Sequence, residues 1–271
     1  MLLTVDVGNT NVALALFDGT GLDAEVLLRR RMSTDPRVTA DEFALTVRGL
    51  LGDHVDAVTG VSALSTVPTV LRELRLMLDR YWTHVPTVVV APGLRTGVPL
   101  QVDNPKEVGA DRVMNALAAH HLFGCPTIVV DLGTSTRVDA VSGRGEFLGG
   151  AIAPGIDISV DALAARGAAL RKVDLVRPRS VLGRSTVECL QSGVIFGFAG
   201  QIDGLVRRVQ DEVDEFAGDD VAVVATGGLA PLVLGECQTL TDHEPDLTGT
   251  GLQLVFERTR AGSRAGRRDL R

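Results

Sequence analysis

The chain has 271 residues, 45% of them hydrophobic, with 27 Lys and Arg against 34 Asp and Glu for a formal charge of −7 and an isoelectric point near 5.3. That length supports one domain or two of half the size, and the acidic balance excludes broad electrostatic attraction to nucleic acid or to an anionic membrane. Small anions stay within reach, because backbone amides and a bound cation hold phosphate even inside an acidic protein.

In chain order, "MLLTVDV" meets Asp6 too early for a secretory leader, and no apolar run reads as long enough to span a bilayer. A cytoplasmic protein with no membrane partner is the expectation. Residues 2–17 predict a strand, a turn over residues 8–11 and a returning strand through Phe17, and "DGTGLD" then leads into a third strand in "AEVLLRRRMS". Thr39 with Glu42 three positions on predicts a capped helix in "TADEFALTVRGLLGDHV". "AVTGVSAL" reads as a buried strand, "TVPTVLRELRLMLDRYW" as a helix with Pro68 near its start, and "PTVVVAPG" as another buried strand.

A helix is expected over residues 105–121. "PTIVVDLGTSTRVDAVSGRGEFLGGAIAPG" then repeats the opening pattern: an apolar run, Asp131, a turn through Gly133, Thr134, Ser135 and Thr136, a returning strand, and a hairpin at residues 143–145. Two such halves form a weak internal repeat and predict a cleft between similar lobes. A long helix follows in "SVECLQSGVIFGFAGQIDGLVRRVQDEV", where Gly193, Gly197 and Gly200 predict close approach by another helix or a second subunit. "VAVVATGGLAPLVL" predicts a strand, a turn at Thr226, Gly227 and Gly228, and a helix start. Residues 259–271 are basic and poor in apolar side chains, predicting a disordered tail. Cys125, Cys189 and Cys237 are widely spaced among apolar neighbours and read as small buried side chains.

Asp6 and Asp131 each close a strand beside glycine and hydroxyl residues. An amide nest with hydroxyls suits phosphate oxygens, and a carboxylate in the same loop suits the cation that offsets them. One such loop is more often an ordinary Asx turn; two of them with a third turn, "TGG", favour a nucleotide. No G-x-x-x-x-G-K-[ST] or G-x-G-x-x-G pattern supports a P-loop or dinucleotide site. Asp111 and Arg112, near a helix start, supply a proton acceptor and an anion-binding guanidinium, or else a helix-terminal charge and a surface arginine. The five histidines form no metal-ligand spacing, and Ser65 and Ser192 lack a nucleophile elbow.

"DVGNTN", "DNPKEVGADR", "DLGTSTR", "GEFLGGAIAPG", "VLGRSTVECLQSG", "ATGG" and "GLQLVFER", in this order, resemble the type III pantothenate kinases of the actin, Hsp70 and sugar-kinase superfamily. The resemblance implies an α/β fold of two related lobes, each a mixed β-sheet flanked by helices, in the actin-like ATPase or ribonuclease H-like class. The lobes are expected at residues 1–112 and 113–258. It implies ATP-dependent phosphorylation of pantothenate to 4'-phosphopantothenate, the first step toward coenzyme A, by a homodimer whose interface includes the glycine-punctuated helix.

On the same resemblance, Asp6, Val7, Gly8, Asn9, Thr10, Asn11, Val12 and Ala13 form the first ATP phosphate region, with Asp6 also organising Mg2+. Thr134 contacts ATP, and Asp131 binds a monovalent cation, potassium or ammonium. Asp111 is the proton acceptor; Gly109, Ala110, Asp111 and Arg112 bind pantothenate, and Thr186 completes that site. Val102 stands where many relatives carry tyrosine, and Arg137 where many carry a small residue. Arg137 has three readings: solvent contact at a strand edge, contact with ATP phosphate, or competition with the monovalent cation. The rival functions are a kinase for another small alcohol and a noncatalytic nucleotide-responsive regulator.

Overall fold

The computed structural model describes residues 1–21, 24–91, 93–166, 173–218 and 220–268. The alternation at the start of the chain folds as read. β1 (Leu2–Val7) and β2 (Asn11–Phe17) pair antiparallel with Asp6 opposite Ala13, and β3 (Val26–Ser33) extends the meander. β4 (Gly60–Ser65) and β5 (Thr87–Val90) add on the other side of β1 in parallel, giving the order β3-β2-β1-β4-β5. Leu3, Val5, Val7, Val12, Leu14 and Leu16 turn one face toward α1 (Ala40–Leu51) and α2 (Pro68–Tyr81), where Phe43, Val47, Leu74 and Met77 close the core. Period-2 alternation therefore leaves Thr4 and Asp6 on the opposite face. The capping box is present: the Thr39 amide donates to Glu42 at 3.0 Å and the Glu42 amide to Thr39 Oγ1 at 3.4 Å.

The second sheet repeats the order. β6 (Thr127–Leu132), β7 (Ser135–Val141) and β8 (Phe147–Pro154) form an antiparallel meander, and β9 (Ala222–Thr226) and β10 (Asp242–His243) join β6 in parallel, giving β10-β9-β6-β7-β8. Ile128, Val130, Leu132, Val138 and Ala140 pack on Ile202, Val206 and Phe216. Between β8 and β9 lie α4 (Ile156–Arg166), which no motif announced, and the long α5 (Thr186–Glu212). After β9 the chain makes only a short 3-10 turn, Ala230–Leu232, with Pro231 inside it, where a helix start was expected.

Two compact units result, and neither is continuous. The first joins Met1–Val98, Asn104–Ala118 and the chain from Thr248 onward; the second joins Pro99–Asp103 to Ala119–Leu247. These boundaries differ from lobes divided at residue 112 because α3 (Ala110–Phe123) belongs to the first unit as far as Ala118, and α6 (Leu247–Arg268) belongs to it from Thr248 onward. A Cβ on Gly60 of β4 would fall into the Phe256 ring of α6, and Gly251 leaves room for the Met114 backbone of α3. Thr248 Oγ1 donates to the fully buried Asn115 Oδ1 at 2.7 Å. Burying a ring such as Phe256 contributes about 1.5–3 kcal/mol. The crossing segment is tied to the second unit by Phe147, whose amide donates to Pro99 and whose carbonyl accepts from Gln101, both at 2.9 Å.

Four further expectations are corrected. Residues 105–121 are not one helix: Pro105–Glu107 forms a 3-10 turn capped by Asn104, and α3 starts only after Gly109. The basic tail is helical to Arg268, because arginine and alanine propagate a helix that apolar packing has already nucleated; residues 269–271 lie outside the described part. Cys189 is exposed rather than buried, since it lies near the solvent-facing start of α5. Finally, α5 is long and apolar enough to cross a membrane by length and composition. Its apolar face packs on the second sheet, and its buried Asp203 accepts from the amides of Gln238 and Thr239 at 3.0 Å.

Candidate active site

In the first unit the turn after β1 is built from its carbonyls inward. Thr66 N donates to Val7 O at 2.9 Å, Thr34 Oγ1 to Gly8 O at 2.7 Å, Thr34 N to Thr10 O at 2.9 Å and Gly8 N to Asn11 O at 3.0 Å. With these oxygens engaged, the outer surface consists of the exposed Asn9, Thr10 and Asn11 and the half-buried Gly8. No left-handed backbone is needed here. Gly8 is required by close approach, because a Cβ would lie 3.2 Å from Asn11 O. Val7 and Val12 are buried in the core, whereas Asp6 and Ala13 are half-buried partners on the opposite sheet face. Thr34 and Thr66 escaped the sequence reading; each follows a strand by one residue, which is the signal that was available.

On α3 of the same unit, Asp111 curls over the helix start. Its Oδ1 accepts from Arg112 N at 3.0 Å, and a Cβ on Gly109 would come within 2.6 Å of it. Gly109 is therefore the residue that lets this carboxylate occupy its place. Ala110, Asp111 and Arg112 are half-buried in the first turn, and Val113 N donates to Gly109 O at 3.2 Å. Asn115, one turn on, fixes the helix to Thr248, a positioning contact that no sequence motif announced.

In the second unit the turn after β6 is shorter and braced by two further glycine turns. Gly133 N donates to Ser135 O at 3.1 Å, Gly155 N to Thr134 O at 3.2 Å, and Leu229 N to Leu132 O at 3.1 Å. A Cβ on Gly155 would lie 2.6 Å from Gly133 O. One on Gly227, at φ +89°, would lie 2.5 Å from Leu132 O and 2.8 Å from Asp131 Oδ1. The "TGG" turn thus acts as a buttress for the acidic loop. Thr134 is half-buried in that loop, and α4 begins directly after Gly155.

Asp131 is 8% exposed and lies directly opposite Arg137 across β6 and β7. The Arg137 guanidinium donates to Asp131 Oδ2 in an ion pair whose side chains are only 16% and 11% exposed. Of the three readings of Arg137, the solvent one is corrected: register directs the side chain along the sheet face onto the carboxylate. Thr186, also in this unit, opens α5 and is exposed. Its surroundings are set by the Ser185 cap and by Glu188, which the amide of Arg184 and the guanidinium of Arg179 hold below the usual carboxylate range. Val102 lies 4.0 Å from where a Cβ on Gly149 would stand.

The two acidic turns offer different donor sets. The Asp6 turn offers a half-buried carboxylate beside exposed amide and hydroxyl side chains in a cradle that a Cβ on Gly8 would crowd, which suits Mg2+ and nucleotide phosphates. Asp131 does not suit a further monovalent cation, because a fixed guanidinium already occupies its carboxylate.

Comparison with solved structures gives the fold. The chain resembles a conserved Baf family protein from Campylobacter jejuni with a TM-score of 0.58 at 16% identity, over 96% of this chain and 99% of that one. It resembles a ROK family protein from Streptococcus pneumoniae with a TM-score of 0.52 at 12% identity, over 96% and 99%. The architecture is the actin-like α/β fold with two mixed sheets. Residues 2–208 match the family model for type III pantothenate kinase. A type III pantothenate kinase from Rhodococcus erythropolis is 68% identical over 268 residues, covering 99% of both chains. The repeated sheets, the two acidic glycine turns and this full-length identity place the chain in the type III pantothenate kinase family.

Proposed function

We propose that this chain transfers the γ-phosphoryl group of ATP to the primary hydroxyl of pantothenate, forming 4'-phosphopantothenate for coenzyme A biosynthesis in the cytoplasm. Full-length identity to a type III pantothenate kinase carries this reading. Asp6, Val7, Gly8, Asn9, Thr10, Asn11, Val12 and Ala13 form the nucleotide-phosphate turn, with Asp6 as the Mg2+ carboxylate, and Thr134 contacts the nucleotide from its own turn. Mg2+, when bound, neutralises charge on the transferring phosphoryl group. Gly109, Ala110, Asp111, Arg112 and Thr186 bind pantothenate.

Asp111 orients the pantothenate hydroxyl and accepts its proton as the oxygen attacks phosphorus; the closed curl over Gly109 supports this role by fixing the carboxylate. Arg112 pairs with the substrate carboxylate, for which a planar guanidinium is the natural partner. Pantothenate-dependent ADP release with formation of the phosphorylated product tests the reaction, and its absence in the presence of bound MgATP would overturn it. Asp111→Asn is expected to lower turnover on the order of 100-fold, with MgATP affinity retained.

The working form is a homodimer with no nucleic-acid or membrane partner. Gly193, Gly197 and Gly200 lie exposed on one side of α5 with nothing within 4 Å of a Cβ at any of them, so no helix among the described residues fills that side. Val181, Leu182 and Val187 add exposed apolar surface near the start of α5. Leu182→Glu is expected to shift sedimentation from dimer to monomer; an unchanged dimer would move the interface elsewhere.

A further inference from the structure

We propose that Arg137 is a built-in substitute for the monovalent cation at Asp131, making nucleotide binding and phosphoryl transfer by this chain independent of potassium and ammonium. The inference deepens the kinase reading, on which it rests.

Four observations carry it. Asp131 and Arg137 are cross-strand partners in the β6–β7 ladder, so their proximity is set by backbone register rather than by a flexible surface encounter. Their ion pair is largely shielded from water, at 16% and 11% side-chain exposure, where a second positive charge would be repelled strongly and screened little. The other carboxylate oxygen, Oδ1, is packed by glycine turns: a Cβ on Gly227 would lie 2.8 Å from it and one on Gly133 3.7 Å. The remaining observation is the contrast between units. The residue opposite the acid in the first sheet is Ala13, which brings no charge to Asp6 across the ladder, whereas the second sheet places a long cation at the corresponding position.

A guanidinium suits this substitution because it stays charged at every pH relevant to a cell and cannot dissociate from the chain. The charge behind the Thr134 turn becomes a fixed property of the fold rather than a function of the ionic medium.

The test uses the full-length protein in potassium, ammonium, sodium or tetramethylammonium chloride at equal ionic strength. MgATP affinity by calorimetry, thermal midpoint, and binding of thallium(I) as a potassium mimic are measured beside turnover. For the parent protein, affinity and turnover are expected to agree within about twofold across the salts, with no thallium site at Asp131. Arg137→Ala, which leaves Asp131 without its guanidinium, is expected to gain a thallium site and potassium-dependent stabilisation, with MgATP affinity rising by about tenfold on adding potassium. Arg137→Lys keeps a tethered cation and is expected to behave as the parent.

Potassium-enhanced MgATP affinity in the parent, or a thallium site on it that Arg137→Lys also shows, would overturn the proposal. If Arg137→Ala fails to fold in every salt, the parent and Arg137→Lys measurements still decide the matter. Absence of pantothenate turnover in all salts would count against the kinase reading, while the midpoint and thallium data would judge Arg137 separately.

Discussion

Asp6 and Asp131 end corresponding strands of two sheets with the same order, yet the fold uses them differently. Asp6 faces Ala13, lies half-buried, and borders a turn whose outer surface is polar side chains; Asp131 faces Arg137, is buried, and lies under two glycine buttresses. The first turn leaves four residues between paired Val7 and Val12, the second three between Leu132 and Thr136. A repeated topology therefore fixes where an acid stands and leaves its electrostatic state to one residue across the ladder. In the first unit that residue is the uncharged Ala13; in the second it is a guanidinium paired with the acid.

The difference in bracing gives the largest expected effect. Gly155→Ala would drive a Cβ into the carbonyls of Gly133 and Thr134 and is expected to cost about 3 kcal/mol or more. Gly8→Ala, meeting Asn11 O at 3.2 Å, should cost about 1 kcal/mol. Urea unfolding of both proteins measures the contrast, and equal losses would remove it. The reciprocal change, Ala13→Arg, would give the first acid the partner that the second has. Turnover should then fall on the order of 100-fold, equivalent to about 2.7 kcal/mol, with little loss of fold. Full activity in that variant would show that a guanidinium opposite Asp6 is compatible with phosphoryl transfer.

A smaller effect separates the units by pH. Burial alone would raise the carboxyl pKa of Asp203, but the amides of Gln238 and Thr239 and the Thr239 hydroxyl together bring it below the ordinary aspartate value. A depressed folded-state pKa contributes stability that is present above the unfolded value and lost as pH falls through the folded one. Asp203→Asn is expected to cost about 1–3 kcal/mol at neutral pH and to flatten the acid limb of the stability curve below pH about 4. Amide exchange resolved to β6 and β9 would detect this loss in the second unit while β1 and β4 stay protected.

Local chemistry made much of this legible. Thr39 with Glu42, Pro68 at the start of α2, and the acid-glycine turns each specify a short-range geometry, and all appear where the residues put them. The segments misread or left unassigned depend on longer-range partners. Gly109 breaks a helix pattern because the Asp111 carboxylate folds over it, and "GLQLVFER" forms part of a long helix because Phe256 and Gly251 find β4 and α3. Arg137 was singled out, but its destination depended on knowing that three residues, not four, turn the chain between β6 and β7. In the site, Asp6 and Asp131 were visible as strand-end acids, while the bracing by Thr34, Thr66 and Gly155 became visible only with the fold.

The return of α6 to the first sheet has a consequence for the order in which the protein is finished on the ribosome. All the secondary-structure elements of the second unit precede Thr248, whereas the face of β4 that receives Phe256 waits for the last helix. The half encoded first is thus the half completed last: a chain interrupted before residue 248 already contains every strand of the second unit but lacks the helix that packs Phe256 against Gly60 of the first sheet.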